Sequence, residues 1–264
     1  MSATPIGLAL FLAASSASLS ASELGLYLGL RRGRSQGYLD DQDYRTLWIR
    51  YRDGTFAVAE VRWLVIPTPR GYLRPALTTV MRGQQTEERL SLVPVPSVTA
   101  LPPATKELQP LESNCEATTY RTIEAASHDA LLLRVHLQNF CGGHPEESDD
   151  FEIVSTGGST QPSVPRRPFL DPSKDPVWST VRTALPTAKG AIVAPDRKLV
   201  VVLTDAALLI RPVRQGNLEA AGIVLPLRTA SDSVTREEVV MAEWATLSEL
   251  QYWDVALEQF LNAP

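Results

Sequence analysis

The stretch from Ala130 to Cys141 reads Ala-Leu-Leu-Leu-Arg-Val-His-Leu-Gln-Asn-Phe-Cys. In an extended chain, one face carries Leu131, Leu133, Val135, Leu137 and Cys141. The other face carries Leu132, Arg134, His136 and Gln138. A period of two with one apolar face is typical of a half-buried antiparallel strand. Tyr120–Ala126 supplies a partner strand across a turn at Ser127–Asp129, so the sequence predicts a β-hairpin.

The two cysteines, Cys115 and Cys141, stand on either side of this hairpin. We predict that they form a disulfide in an oxidising compartment, with Cys141 on the buried side of its strand. A bridge of this length stabilises a fold by roughly 3–4 kcal/mol in the chain-entropy model. Two free, buried thiols in a cytosolic protein are the alternative.

Further strands and two helices follow from local patterns. Thr46–Arg52 and Thr55–Ile66 flank Asp53-Gly54, a strong hairpin signal. Shorter strands are predicted over Ala191–Ala194, Leu199–Leu203, Leu208–Pro212 and Ile223–Leu227. Helices are predicted over 176–185, with Asp175 as N-cap, and over 248–261, where apolar residues recur along one side. Val239–Trp244 fits either a strand or part of a longer helix.

These elements predict an α+β fold, mostly antiparallel β-sheet with two or three helices. A chain of 264 residues corresponds to one or two domains. Val93–Pro110 and Pro162–Pro176 each contain five of the twenty prolines, and we interpret them as extended connectors within one fold. The prediction is therefore a single compact domain over residues 22–264.

The N-terminus resembles a secretory signal. Met1–Ser22 carries no ionisable side chain, and an apolar run at Ile6–Ala14 is followed by small residues. This pattern predicts a signal peptide at 1–21 and a periplasmic or secreted protein, with no transmembrane segment in the mature chain. An ordinary N-terminal helix packed on the domain is the alternative.

Composition and motifs exclude several functions. Lys and Arg number 25 against 30 Asp and Glu, which gives a net charge of −5 and argues against nucleic-acid binding. The common nucleophile, nucleotide and zinc-protease motifs are absent from the sequence, and no cofactor is predicted. Glu60, Glu124 and Asp205 are candidates for an acid pair, but the sequence favours a protein that is not an enzyme.

Histidines and carboxylates concentrate between residues 128 and 152. His128, His136 and His144 are spaced by eight residues, roughly 26 Å along a strand, so no metal site is predicted from them. The segment His144–Glu152 carries five carboxylates and is interpreted as a solvated loop. A calcium site and an acidic surface for a basic protein partner are the alternatives.

Two stretches resemble a known extracytoplasmic domain. They are Phe140-Cys-Gly-Gly-His-Pro145 and the strands of Val202–Ile210 and Ala220–Leu227. Over residues 115–228 the chain is similar to the domain of the RsiV-type lysozyme-receptor anti-sigma factors, which also accompanies some peptidoglycan deacetylases. It departs from that domain in lacking a residue between Gly143 and His144 and tyrosines near Ala220. The resemblance implies an exported α+β module that binds a wall-associated protein or glycan.

We therefore predict an exported, non-catalytic binding protein of the bacterial envelope or exterior, which recognises a protein or a cell-wall glycan. The predicted contact surface consists of Gly142, Gly143, His144, Glu146, Glu147, Asp149 and Asp150. The alternative is a hydrolase of wall or glycan substrates that uses carboxylates, with metal assistance through His144.

Overall fold

The computed structural model describes residues 23–32, 43–95, 105–108, 115–141, 144–157, 163–165, 176–228 and 236–261. The signal-peptide prediction at 1–21 and the predicted N-cap Asp175 lie outside these residues. The helices are α1 (Pro176–Ala184) and α2 (Leu247–Leu261). The strands are β1 (Glu23–Arg32), β2 (Asp43–Arg52), β3 (Thr55–Val61), β4 (Ile66–Thr68), β5 (Gly71–Arg82), β6 (Gln85–Val95), β7 (Thr105–Leu108), β8 (Glu116–Ala126), β9 (Ala130–Cys141), β10 (His144–Ser155), β11 (Gly190–Val193), β12 (Leu199–Leu203), β13 (Ala207–Arg214), β14 (Asn217–Leu218), β15 (Ile223–Pro226) and β16 (Glu238–Trp244).

A four-stranded antiparallel sheet, in the order β16-β1-β2-β3, lies at the centre and is covered on both faces. On β1 the leucines alternate with smaller or aromatic residues, and Leu26, Leu28 and Leu30 share one core with strands β12 and β13. Tyr27 points to the opposite core, which contains residues of β8 and β9. A strand buried on both faces needs apolar residues at nearly every position, which β1 supplies.

Two glycines let other elements approach β1 closely. A Cβ added at Gly29 would lie 2.5 Å from Leu64 Cδ1 and 2.9 Å from Met241 Cβ. A Cβ at Gly25 would lie 2.6 Å from Leu250 Cδ2, on helix α2. The glycines therefore make room for the loop after β3, for β16 and for α2.

The second sheet has the order β10-β9-β8-β6-β5-β4, and β7 pairs with the same edge of β5 as β4. Its inner end meets the central sheet and α2 in an aromatic core. Tyr27 lies edge-on to Trp48, with ring centroids 4.9 Å apart, and Trp48 contacts Trp253 and Phe260 of α2. Burial of these large rings is the main stabilising term at this junction. Neither helix in the described residues is long and apolar enough to cross a bilayer.

The third sheet pairs β11, β12, β13 and β14 in order, with β15 also on β13. One face packs on the central sheet through Leu199, Val201, Leu208 and Ile210. The other face is covered by α1, where Val181 packs against Val200 and Val202. Strands β11 and β12 are short and almost entirely apolar, as expected for strands buried on both faces.

Buried arginines on the two inner strands of the central sheet link it to neighbouring segments. Arg31 donates to the Ile123 carbonyl at 2.9 Å and to Glu124 at 3.1 Å, which links β1 to β8. Arg45 donates to both carboxylate oxygens of Glu237, at 2.7 and 2.6 Å. The Glu237 side chain is 3% exposed, so this bidentate pair replaces the hydration that the carboxylate loses.

The structure confirms a mostly antiparallel α+β architecture; the single compact domain remains a prediction. Both predicted hairpins form, and Asp53 and Gly54 have φ values of 50° and 83°, as a tight two-residue turn requires. Val239–Trp244 lies in a strand, β16. The return strand expected over Thr55–Ile66 was wrong in its end, because it stops at Val61. The sequence analysis made no prediction for β1.

Candidate functional site

Strands β9 and β10 form a hairpin that extends outward from the core, and we call it the outer hairpin. It pairs from Ser155 opposite Ala130 to His144 opposite Cys141. Near its base Leu131 and Leu133 are fully buried, whereas Leu137 is half-buried. We use the term outer face for the side opposite these leucines, which carries the even-numbered residues of β9 and the odd-numbered residues of β10.

The acidic segment His144–Glu152 is part of β10, not the loop expected from its charge. Acidic residues have low intrinsic preference for strands, but pairing with β9 along its full length overrides that preference. The strand conformation costs these acidic residues little desolvation energy, because β10 lies at the edge of the sheet and its carboxylates stay in water.

The structure separates the predicted contact residues. Gly142 and Gly143 lie outside the described residues, and His144 is the first residue of β10. The four predicted acidic residues are exposed but do not share one face, because successive side chains on a strand alternate. The outer face carries Glu147 and Asp149, and the opposite face carries Glu146 and Asp150.

A row of polar contacts crosses the outer face. His136 Nδ1 lies 2.9 Å from Asp149 Oδ1, and the His136 ring stacks on Tyr120 with centroids 6.0 Å apart. Next to this pair, Gln138 donates to Glu147 at 2.9 Å. These cross-strand pairs orient the side chains on the outer face and stabilise the pairing of β9 with β10.

Three large apolar side chains on the outer face are exposed to solvent. Phe140, Phe151 and Ile153 are 41%, 61% and 43% exposed. They lie at the two ends of the polar row, Phe140 toward the tip of the hairpin and the other two toward its base. The sequence analysis missed them, although Phe151, an aromatic residue within an acidic run, was a usable signal.

The predicted disulfide between Cys115 and Cys141 is present and joins β9 to the residue before β8, with Cα atoms 4.7 Å apart. Cys141 is exposed, so its expected position on the buried side was wrong. The alternation continues along β9, but the core ends before the strand does. The bond therefore fastens the end of the ribbon that receives no support from burial.

His128 and His136 contact different carboxylates. His128, in the β8–β9 turn, lies 3.3 Å from Glu243 and 3.2 Å from Asp129, whereas His136 contacts Asp149. Within the part of the chain that the structure describes, no three His, Cys, Asp or Glu side chains come together as a metal site would require.

The three scattered acidic residues do not form an acid pair. Glu60 contacts Arg45 and Arg228, Glu124 contacts Arg31, and Asp205 lies 3.6 Å from Lys189. Burial by itself raises the pKa of Glu60, but hydrogen bonds and charge from the two arginines outweigh it and lower the pKa. Glu60 is therefore held as an anion by its two arginines, and all three carboxylates face cations, as in structural ion pairs.

No protein-family model matches the chain, and comparison with curated proteins and with solved structures likewise gives no match.

Proposed function

We propose that this protein is an exported, non-catalytic binding protein of the bacterial envelope or exterior that holds a protein partner on its outer hairpin. The observation that carries the proposal is the exposure of Phe140, Phe151 and Ile153 around the His136–Asp149 pair. Exposed apolar residues beside polar groups, fixed on a rigid sheet, are typical of interaction surfaces. A glycan partner is the competing outcome.

The disulfide supports the exported part of the proposal. Structural disulfides persist in oxidising compartments and are rare in the cytosol. The resemblance of residues 115–228 to a receptor domain points in the same direction and remains part of the proposal.

The geometry favours binding over the hydrolase alternative. A carboxylate-based hydrolase needs two carboxyl groups that face a common substrate. Glu60 and Glu124 face Arg45 and Arg31 from other strands, and Asp205, in the turn after β12, faces Lys189. No observation among the described residues favours hydrolysis at these positions.

Site-specific crosslinking tests this function. Phe151 and Val224 are both 61% exposed, but Val224 lies on β15 in the third sheet, so the two positions form a matched pair. Each is replaced in turn by the photo-crosslinking residue p-benzoylphenylalanine, and the protein is irradiated in an envelope extract. We expect a discrete protein adduct from position 151, suppressed by excess wild-type protein, and none from position 224. Equal labelling at both positions, a glycan adduct or no adduct at 151 would contradict the proposal.

A further inference from the structure

Strand β10 is an open sheet edge in the part of the chain that the structure describes. Among the described residues it pairs with β9 alone, and at 12 residues it is longer than any other described edge strand; β3 and β16 have seven each. Every second residue of such a strand directs its backbone N–H and C=O away from the sheet, where an added strand can accept and donate hydrogen bonds. The edge is thus a template for strand addition.

The charges beside this edge follow a regular pattern. Residues 146–150 read Glu-Glu-Ser-Asp-Asp, and β10 contains no Lys or Arg. In the described residues, Glu146, Glu147 and Asp150 have no ion pair, and Asp149 contacts only the half-exposed His136. Because the acidic residues lie in two adjacent pairs, both faces of the edge carry negative charge.

This pattern disfavours a second copy of the chain as the added strand. An antiparallel pair centred on Ser148 would place Glu146 opposite Asp150 and Glu147 opposite Asp149. A parallel in-register pair would place each carboxylate beside itself. Like charges directly opposite one another destabilise strand pairing.

We propose that an extended, cationic segment of the protein partner adds to β10 as the next strand of the sheet. This inference rests on the proposed function and deepens it. The matching segment has two adjacent pairs of Lys or Arg separated by one residue, opposite residues 146–150. Apolar residues at alternate positions then lie beside Phe151 and Ile153 on the outer face.

Synthetic peptides test the inference on the full disulfide-bonded chain. The probes are Lys-Lys-Thr-Lys-Lys-Val-Thr-Val for parallel addition and its reverse sequence for antiparallel addition. Each is titrated into ¹⁵N-labelled protein, and the amide shifts and hydrogen exchange of β10 are measured. We expect one peptide to shift and protect β10 amides. In that peptide, alternate backbone N–H groups point toward β10 and the others point away. N-methylation of the first set should weaken binding at least about tenfold, and N-methylation of the second set should have little effect.

A matched pair of variants tests the charges. The first neutralises β10 through Glu146→Gln, Glu147→Gln, Asp149→Asn and Asp150→Asn. The second neutralises four exposed carboxylates elsewhere through Asp53→Asn, Asp205→Asn, Asp254→Asn and Glu258→Gln. The first should weaken peptide binding at least about tenfold because several exposed ion pairs are lost together, and the second should change it less than about twofold.

Three results would overturn strand addition. The first is that both methylated forms bind equally, which would mean that charge alone attracts the peptide. The second is that the two variants weaken binding equally. The third is that neither peptide binds and the β10-neutralised variant self-associates, which would mean that the carboxylates serve only to prevent two copies from pairing at this edge. If position 151 still crosslinks a protein in any of these cases, the proposed function stands and only the mode of binding is wrong.

Discussion

The central sheet and the outer hairpin use carboxylates in opposite ways. Around the central sheet, the buried Glu237 and the mostly buried Glu124 are held by Arg45 and Arg31, which come from its two inner strands. On β10 the carboxylates are exposed, and most lack a cationic partner among the described residues. A buried anion must be neutralised where it lies, whereas an exposed anion keeps its hydration and can exchange it for a ligand. Charge near the core is therefore compensated within the fold, whereas most of the charge on β10 stays exposed to solvent.

The largest expected effect is on the buried pair. Arg45→Met leaves Glu237 uncompensated in the interior and should lower the free energy of unfolding by about 3–5 kcal/mol. Arg52→Met on the same strand is the control, because the Arg52 side chain is 58% exposed and lies 3.7 Å from Asp53. Urea unfolding at pH 7 measures both. Equal losses would show that the central sheet does not depend on its buried charges.

The second largest effect is expected for the disulfide, because it stabilises the end of the outer hairpin that burial does not stabilise. The double variant Cys115→Ser and Cys141→Ser should lose about 2–4 kcal/mol of unfolding free energy. Reduced wild-type protein should show the same loss, and a reductant should leave the double variant unchanged. If reduction leaves the unfolding of the wild type unaltered, the covalent link is not what stabilises the outer hairpin.

Glu60, at the half-exposed edge of the central sheet, should make a smaller contribution to the free energy of unfolding, and this contribution depends on pH. Its pKa is lowered in the folded state, so its contribution is present above the unfolded pKa of about 4.3 and is lost as the pH falls through the folded pKa. Glu60→Gln should therefore cost about 0.3–1 kcal/mol at pH 7, and the difference from wild type should vanish in acid. Unfolding curves from pH 7 to 3 measure it. In an Arg228→Gln background the pH-dependent part should shrink; an unchanged profile would contradict the assignment.

The smallest effect on stability is expected on β10. Neutralising Glu146, Glu147, Asp149 and Asp150 together should change the free energy of unfolding by no more than about 0.5 kcal/mol, because these side chains are exposed. Thermal unfolding of the isolated protein measures this. A loss of 2 kcal/mol or more would mean that the acidic residues are structural, and the contrast with the central sheet would disappear.

The elements that the sequence predicted share one property: a local signal that agrees with the tertiary environment. The alternation from Leu131 to Leu137 and the apolar side of α2 reflect burial against a single core. The Asp53-Gly54 turn reflects positive φ values that these two residue types tolerate. The cysteines could be paired because they bracket a predicted hairpin.

The elements that were missed or misassigned had a misleading local signal. β1 is apolar at nearly every position because it is buried on both faces, so it shows no alternation of apolar and polar residues. β10 is acidic and exposed on both faces, so its strand conformation comes from pairing with β9. The outer face escaped notice because Phe140 and Phe151 belong to different strands that only the hairpin brings together.

The amino-acid order by itself determined the strands with one buried face, both helices and the position of the covalent bond, because short-range periodicity and turn chemistry act within a few residues. Only the tertiary structure decided that Arg45 neutralises Glu237, 192 residues away, and that β10 is, among the described strands, the acidic edge of its sheet. Both depend on which strands become neighbours, and that choice is made by burying apolar surface across the whole chain.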